Sequence, residues 1–233
     1  MSMKKLVLFD FDGTLADSAP DLAAAANRLR LQRGLTALPY ETLRPHASHG
    51  ARGLLKAALD MNPDHPEYAQ LRSQFLQDYE ANMTSLTHLF EGVAEMLQLL
   101  QHNQYTWGIV TNKLEYLALP LIRHLGLEQA CTVTVGGDTT GHAKPHPAPL
   151  LYAAEKAGFQ PQHCLYVGDD QRDIQAGQAA GMATMVAAYG YCAQDPAIPS
   201  WKADLIAHDV AEIWEGVQRW AQGRHQAASP LSC

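Results

Sequence analysis

The stretch Leu6-Val7-Leu8-Phe9-Asp10-Phe11-Asp12-Gly13-Thr14-Leu15 constrains the fold more than any other part of the chain. An apolar run ends in two aspartates two positions apart, followed by Gly-Thr. A short apolar run closed by a turn signal reads as a buried strand. Side chains at i and i+2 of a strand share a face, so Asp10 and Asp12 are expected to project together from its carboxyl end. Two carboxylates at a 4 Å separation repel by roughly 4 kcal/mol at an effective dielectric near 20. A fold tolerates such crowding with a cation or a shared proton. The pair therefore reads as a reaction centre rather than as two solvated loop aspartates.

The 233 residues suffice for one large domain, or one medium and one small. No apolar run approaches the ~20 residues needed to cross a bilayer. The first apolar run is interrupted by Asp10 and Asp12, which does not suit a signal peptide, so a cytoplasmic protein without membrane contact is expected. Cys131, Cys164, Cys192 and Cys233 form no CxxC pair and read as free thiols. The net charge of −7, with no basic cluster, argues against a nucleic-acid partner. It leaves room for a small anionic substrate in a locally positive pocket.

Along the chain, helical spacing runs from a capping Ser18 and Pro20 through Leu22, Ala25, Ala26 and Leu29, and stops at Gly34. Further helices are expected from about Tyr40, over Ala51 to Leu59, and over Pro66 to Met83. Residues 17–88 contain no convincing strand and read as a helical insertion. From Leu89 the pattern turns to strand–helix alternation. Strands are expected at Thr106–Val110, Cys131–Val135, Cys164–Val167 and Met182–Ala187, with a short sixth at Ala203–Ala207. Helices are expected at Gly92–Gln101, Leu114–Leu125, Ala148–Ala157, Asp173–Ala180 and Val210–Trp220, and a loose tail from Gln222. This predicts an α/β fold, a doubly wound parallel sheet of Rossmann-like type, formed by residues 1–16 and 89–233. In such sheets ligands sit at the carboxyl ends of the strands, where strand order reverses. Asp10, Asp12, Thr111, Asn112 and Asp169 to Asp173 all fall there, and Lys144 lies in a loop after another strand.

Taken together, Asp10-Phe11-Asp12-Gly13-Thr14, Thr111-Asn112, Lys144-Pro145 and Gly168-Asp169-Asp170-x-x-Asp173 resemble the four motifs of the haloacid dehalogenase-like phosphatase superfamily, in order and in spacing. The helical insertion at 17–88 resembles the small all-helical cap domain that many members carry after the first strand. The resemblance implies Asp10 as the nucleophile that takes the phosphoryl group and Asp12 as the acid and base serving the leaving alcohol and the attacking water. It implies Mg²⁺ held by Asp10, the Asp12 carbonyl and Asp169, a hard cation suited to oxygen ligands. Thr111, Asn112 and Lys144 would bind phosphate. Asp173 is either a supporting acid or simply an acid in a first helical turn, where negative charge is favoured. The motif commonly has a small polar residue where Asp170 stands. Dehalogenating members lack an acid two residues after the nucleophile, so Asp12 favours phosphate chemistry.

Substrate choice falls to the insertion. In His46-Ala47-Ser48-His49-Gly50-Ala51-Arg52-Gly53, Arg52 could clasp a substrate carboxylate, or could be a solvated residue at a helix start. The whole chain is most similar to the phosphoglycolate phosphatase group. Within it, Ser48 to Leu55, Trp107 to Lys113, Val167 to Asp170 and Tyr189-Gly190-Tyr191 resemble a branch acting on N-acetylmuramic acid 6-phosphate. A sugar phosphomutase of the β-phosphoglucomutase type shares the same core motifs. The expected partner is a small phosphorylated metabolite, and the chain is expected to be a monomer or homodimer.

Overall fold

A computed structural model describes residues 4–223. Strand β1 (Leu6–Phe9) is buried along its whole length, as its unbroken apolar character demands of a strand covered on both faces. Two-residue strands β2 (Ala16–Asp17) and β3 (His88–Leu89) pair antiparallel at the entry to and exit from the helical stretch. Between them lie α1 (Ala19–Gln32), α2 (Tyr40–Leu43), α3 (Gly50–Leu59) and α4 (Tyr68–Asn82), with a 3-10 turn over Arg44–His49. The alternating part follows with α5 (Val93–His102), β4 (Thr106–Val110), α6 (Glu115–His124), β5 (Thr134–Val135) and α7 (Ala148–Ala157). It ends with β6 (Cys164–Gly168), α8 (Gln171–Ala179), β7 (Ala183–Ala187), β8 (Leu205–Ala207) and α9 (Val210–Ala221). The expected tail falls mostly in residues 224–233, outside the described residues.

The main sheet has the order β5-β4-β1-β6-β7-β8, and every pairing is parallel. Strand alternation sends Val7 and Phe9 to one face, where they join Met96, Leu121 and Ile213 of α5, α6 and α9. Leu6 and Leu8 point to the other, where they meet Leu150 and Ala153 of α7 and Ala176 of α8. Helices therefore cover both faces, as expected of a doubly wound sheet. From β1 the chain winds outward through β4 and β5, then returns to the opposite side of β1 as β6. That reversal leaves the carboxyl ends of β4, β1 and β6 side by side, which is where a ligand crevice forms in such sheets.

The helical stretch packs on itself, α1 against α3 and α4, burying Leu54, Leu55, Phe75 and Tyr79. Three local expectations need correction. β5 is shorter than Cys131–Val135: only Thr134 and Val135 stay in register with β4, although the Thr132 N–H still donates to the Trp107 carbonyl at 3.0 Å and the Val133 carbonyl accepts the Ile109 N–H at 2.8 Å. Helix α8 starts at Gln171 rather than Asp173, since Asp170 is its N-cap and Asp173 completes a capping box. Ser18 does not cap α1 with its hydroxyl; the Tyr191 hydroxyl accepts the Ser18 and Ala19 N–H groups at 2.8 and 3.0 Å instead.

Gly108 of β4 is closely approached by the segment that leads into β5. A Cβ there would lie 2.6 Å from Val133 Cγ1 and 2.8 Å from the Val133 carbonyl oxygen. Since backbone cannot yield as a side-chain tip can, Gly108→Ala is expected to cost about 1–3 kcal/mol. A lowered urea midpoint at unchanged slope is the readout, and an unchanged midpoint would count against this packing.

Candidate active site

Asp10 leaves β1 with its backbone N–H donating to the Val167 carbonyl (2.8 Å), so the carboxyl ends of β1 and β6 are tied together. Its Oδ1 accepts the Phe11 N–H at 2.7 Å and lies 3.0 Å from Lys144 Nζ. Lys144 is buried, and its ammonium also meets Asp173 Oδ1 (2.7 Å), the Val110 carbonyl (3.1 Å) and the Tyr166 hydroxyl (2.7 Å). The Tyr166 hydroxyl in turn donates a hydrogen bond to the Val110 carbonyl at 2.7 Å. The loop carrying Lys144 is held by Asn112, whose amide donates to the Lys144 carbonyl (3.0 Å) and accepts the Lys144 N–H (2.8 Å). The side chain of Asn112 is thus engaged in placing Lys144, which sequence reading did not anticipate. Thr111 is buried, and its hydroxyl oxygen accepts the Lys113 N–H at 3.1 Å.

Asp169 stands at the end of β6, buried, with Oδ2 accepting the Tyr191 N–H at 2.7 Å. One carboxylate oxygen from each of Asp10, Asp169 and Asp173 lies within 4.8 Å of the other two. Gly13 and Gly190 press against Asp169: a Cβ at either would fall 2.3 or 2.5 Å from its Oδ2. Only glycine allows the backbone so close to a carboxylate, and Gly13 needs it also for its φ of +82°. Burial raises Asp10 to about 7 against the opposing pull of Lys144. Burial likewise pushes Asp169 well above the usual carboxylate range, with Asp10 and Asp173 adding repulsion. Three acids around one ammonium therefore lack positive charge, and hard oxygen donors in this number suit a divalent cation such as Mg²⁺. Asp173 serves this cluster and the first turn of α8 at once, because its Oδ2 accepts the Asp170 N–H at 3.0 Å.

Asp12 belongs to a different neighbourhood. Lys113 Nζ donates to both its oxygens (2.9 and 3.0 Å), and the Ser18 hydroxyl donates to Oδ1. The Lys113 ammonium lies 5.0 Å from the centroid of the Tyr79 ring on α4. Neither Lys113 nor Ser18 stands out as a site residue in the sequence. The available signal for Lys113 is its place directly after Thr111-Asn112, at a strand end. Asp170 is not one of the three clustered acids: Arg172 grips its carboxylate, and these hydrogen bonds overcome burial to hold it down at about 2.

These groups line a cavity of about 330 Å³ between the strand ends and the helical stretch. Arg52 of α3 and Arg72 of α4 reach the same cavity, against an apolar wall of Leu22, Phe75, Leu76 and Leu117. Lys113, Lys144 and Arg172 are each paired with aspartates, whereas Arg52 and Arg72 carry no ion pair among the described residues. No described helix is long and apolar enough to cross a membrane.

A parallel sheet with carboxylates gathered at the ends of its central strands is an arrangement suited to phosphoryl-transfer chemistry. The chain belongs to the haloacid dehalogenase-like hydrolase family, whose model matches residues 7–187. It is 45% identical over 215 residues to a phosphoglycolate phosphatase of Xanthomonas campestris pv. campestris (strain 8004), covering 92% of this chain and 97% of the relative. It is 36% identical over 215 residues to an N-acetylmuramic acid 6-phosphate phosphatase of Pseudomonas aeruginosa, covering 92% and 95%. Among solved structures, that of a predicted phosphoglycolate phosphatase from Haemophilus somnus 129pt superposes with a TM-score of 0.81 at 32% identity, covering 94% of this chain and 100% of that one.

An acid whose folded pKa exceeds its unfolded value costs stability as it ionises, because the unfolded chain releases the proton first. Without a cation, stability is therefore expected to fall as pH rises from the ordinary 3.8 of Asp10 to about 7. Thermal unfolding in EDTA across that window is the check. Added Mg²⁺ is expected to raise Tm more above the window than below it, and an equal shift at both ends would contradict the charge deficit.

Proposed function

We propose that this protein is a Mg²⁺-dependent phosphatase of the phosphoglycolate phosphatase type, hydrolysing a small phosphate monoester that carries a carboxylate. The observation that carries this reading is Asp10 itself. Its carboxylate sits at the end of the central strand, 3.0 Å from Lys144 and clustered with Asp169, beside a cavity lined by Arg52 and Arg72, which carry no ion pair among the described residues.

In this reading Asp10 attacks phosphorus in line with the leaving oxygen, the ester P–O bond breaks, and Asp12 gives the departing alcohol its proton. Water then attacks the aspartyl-phosphate while Asp12 takes the proton back, and inorganic phosphate leaves. Lys144 carries positive charge to the nucleophile and phosphate, with Thr111 and the Asn112 main chain beside it. Asn112 acts chiefly by placing Lys144. Lys113 orients Asp12 between turnovers, and an arriving phosphate dianion competes with Asp12 for its ammonium. Asp10, the Asp12 carbonyl and Asp169 would hold Mg²⁺, which would offset the charge that nucleophile and phosphate bring together. Asp173 supports the set by holding Lys144. Helices α1 to α4 act as the cap that closes over the leaving group, and Arg52 receives its carboxylate.

One observation favours the second substrate, N-acetylmuramic acid 6-phosphate. A cavity of about 330 Å³ with an apolar wall falls in the range of sites that enclose drug-sized ligands. A two-carbon acid would leave most of that wall untouched, whereas an acylated sugar acid would cover it. Phosphate release from 2-phosphoglycolate and N-acetylmuramic acid 6-phosphate, compared by kcat/KM, decides between them.

Asp10→Asn is expected to reduce phosphate release by at least about 10³-fold on every substrate, since the nucleophile is gone. Retained turnover would sink the assignment. Arg52→Ala is expected to lower the ratio of kcat/KM for the preferred carboxylate substrate to that for p-nitrophenyl phosphate by about 10-fold or more. An unchanged ratio would remove Arg52 from substrate choice.

A further inference from the structure

The departure at Asp170 from the small polar residue common in the motif has a counterpart in Arg172. Asp170 Oδ1 accepts the Arg172 Nε–H at 2.8 Å and its backbone N–H at 2.9 Å, and Oδ2 accepts the Arg172 Nη2–H at 2.8 Å. A planar guanidinium gripped along one edge by a carboxylate has one orientation. So aimed, Arg172 reaches from α8 to the helical stretch, where Nη2 donates to the Ser48 carbonyl at 2.7 Å. The two residues are 124 positions apart.

Ser48 lies in a closely packed segment that leads into α3. A Cβ on Gly53 would fall 2.6 Å from the His46 carbonyl oxygen and 2.6 Å from His49 Cβ, so residues 46 and 53 are already in contact. Gly50, between them, turns with a φ of +54°. Arg52, four residues on from Ser48, lies in the first turns of α3, where that helix meets the cavity.

We infer that Arg172 is a positioning residue: aimed by Asp170, it latches the segment 46–53 over the cavity and so sets where Arg52 meets the leaving group. The contact stands by itself, and its consequence for substrate choice rests on the function proposed above. A carboxylate-bearing phosphate feels the latch through Arg52, while p-nitrophenyl phosphate offers Arg52 no carboxylate.

The test uses the full chain with Arg172→Gln, and with Arg172→Lys as a second variant that keeps a positive charge beside Asp170 should the first fail to fold. In the substrate-free protein, amide hydrogen exchange across residues 46–53 is expected to quicken by about 10-fold or more in Arg172→Gln. Arg172→Lys, which lacks the fork, is expected to quicken exchange there as well. The ratio of kcat/KM for the carboxylate substrate over p-nitrophenyl phosphate is expected to fall by about 10- to 100-fold, chiefly through KM. Arg52→Ala added to Arg172→Gln is expected to lower that ratio by no more than about threefold further, because both changes act through one arginine. Unaltered exchange in 46–53 overturns the latch even in an active enzyme, and so does an equal loss on all substrates. A wild-type protein that releases phosphate from none of them overturns the proposed function instead, and the exchange measurement, which needs no substrate, still decides the latch.

Discussion

The site depends on one buried ammonium. Lys144 Nζ stands 3.0 Å from Asp10 and 2.7 Å from Asp173, with a side chain only 2% exposed. Burying a lysine is costly unless every proton finds an acceptor. Here two carboxylates, the Val110 carbonyl and the Tyr166 hydroxyl surround it. Without that charge, Asp10, Asp169 and Asp173 would face one another in a buried crevice. Breaking a buried pair by removing one partner typically costs about 3–5 kcal/mol, because the other charge is stranded. Asn112 gains its importance from the same interaction, since it fixes the loop that delivers Lys144.

Asp10 and Asp12 are two residues apart yet answer to different surroundings. Asp10 faces the acid cluster and Lys144, whereas Asp12 is held by Lys113 and by Ser18 at the start of α1. Like charges are separated by giving each its own cation. The second cation lies near the Tyr79 ring of α4, so the surroundings of Asp12 include α1 and α4 of the helical stretch. Tyr191 joins the two sides again: its N–H binds Asp169 while its hydroxyl caps α1. Chemistry at the strand ends and the placement of the helices above them are thus mechanically connected.

Much of this molecule was legible without coordinates, for a local reason. Apolar runs of strand length, helical spacing and turn residues are properties of neighbouring positions, so β1, β4, α7 and β7 fall at or within a residue of their expected bounds. The acids at strand ends were legible for the same reason, and the sheet's switch point then gathers Asp10, Asp169 and Asp173 in space. What failed locally failed at an edge or a helix start. Regular pairing in the edge strand β5 is confined to two residues, and α8 starts early because Asp170 is its cap.

The amino-acid sequence by itself determined which residues could do chemistry and on which strand ends they stand. Only the tertiary structure decided their partners. Lys113 reaches Asp12 across 101 positions, Arg172 reaches Ser48 across 124, and Tyr191 reaches Ser18 across 173. Such pairs leave no periodic trace in the chain, because their separation is set by strand order and by how the helices seat against the sheet. Asp10 and Asp12 look alike as letters. Sheet topology and the packing of the helical stretch supply them with different cations, and that gives them different surroundings.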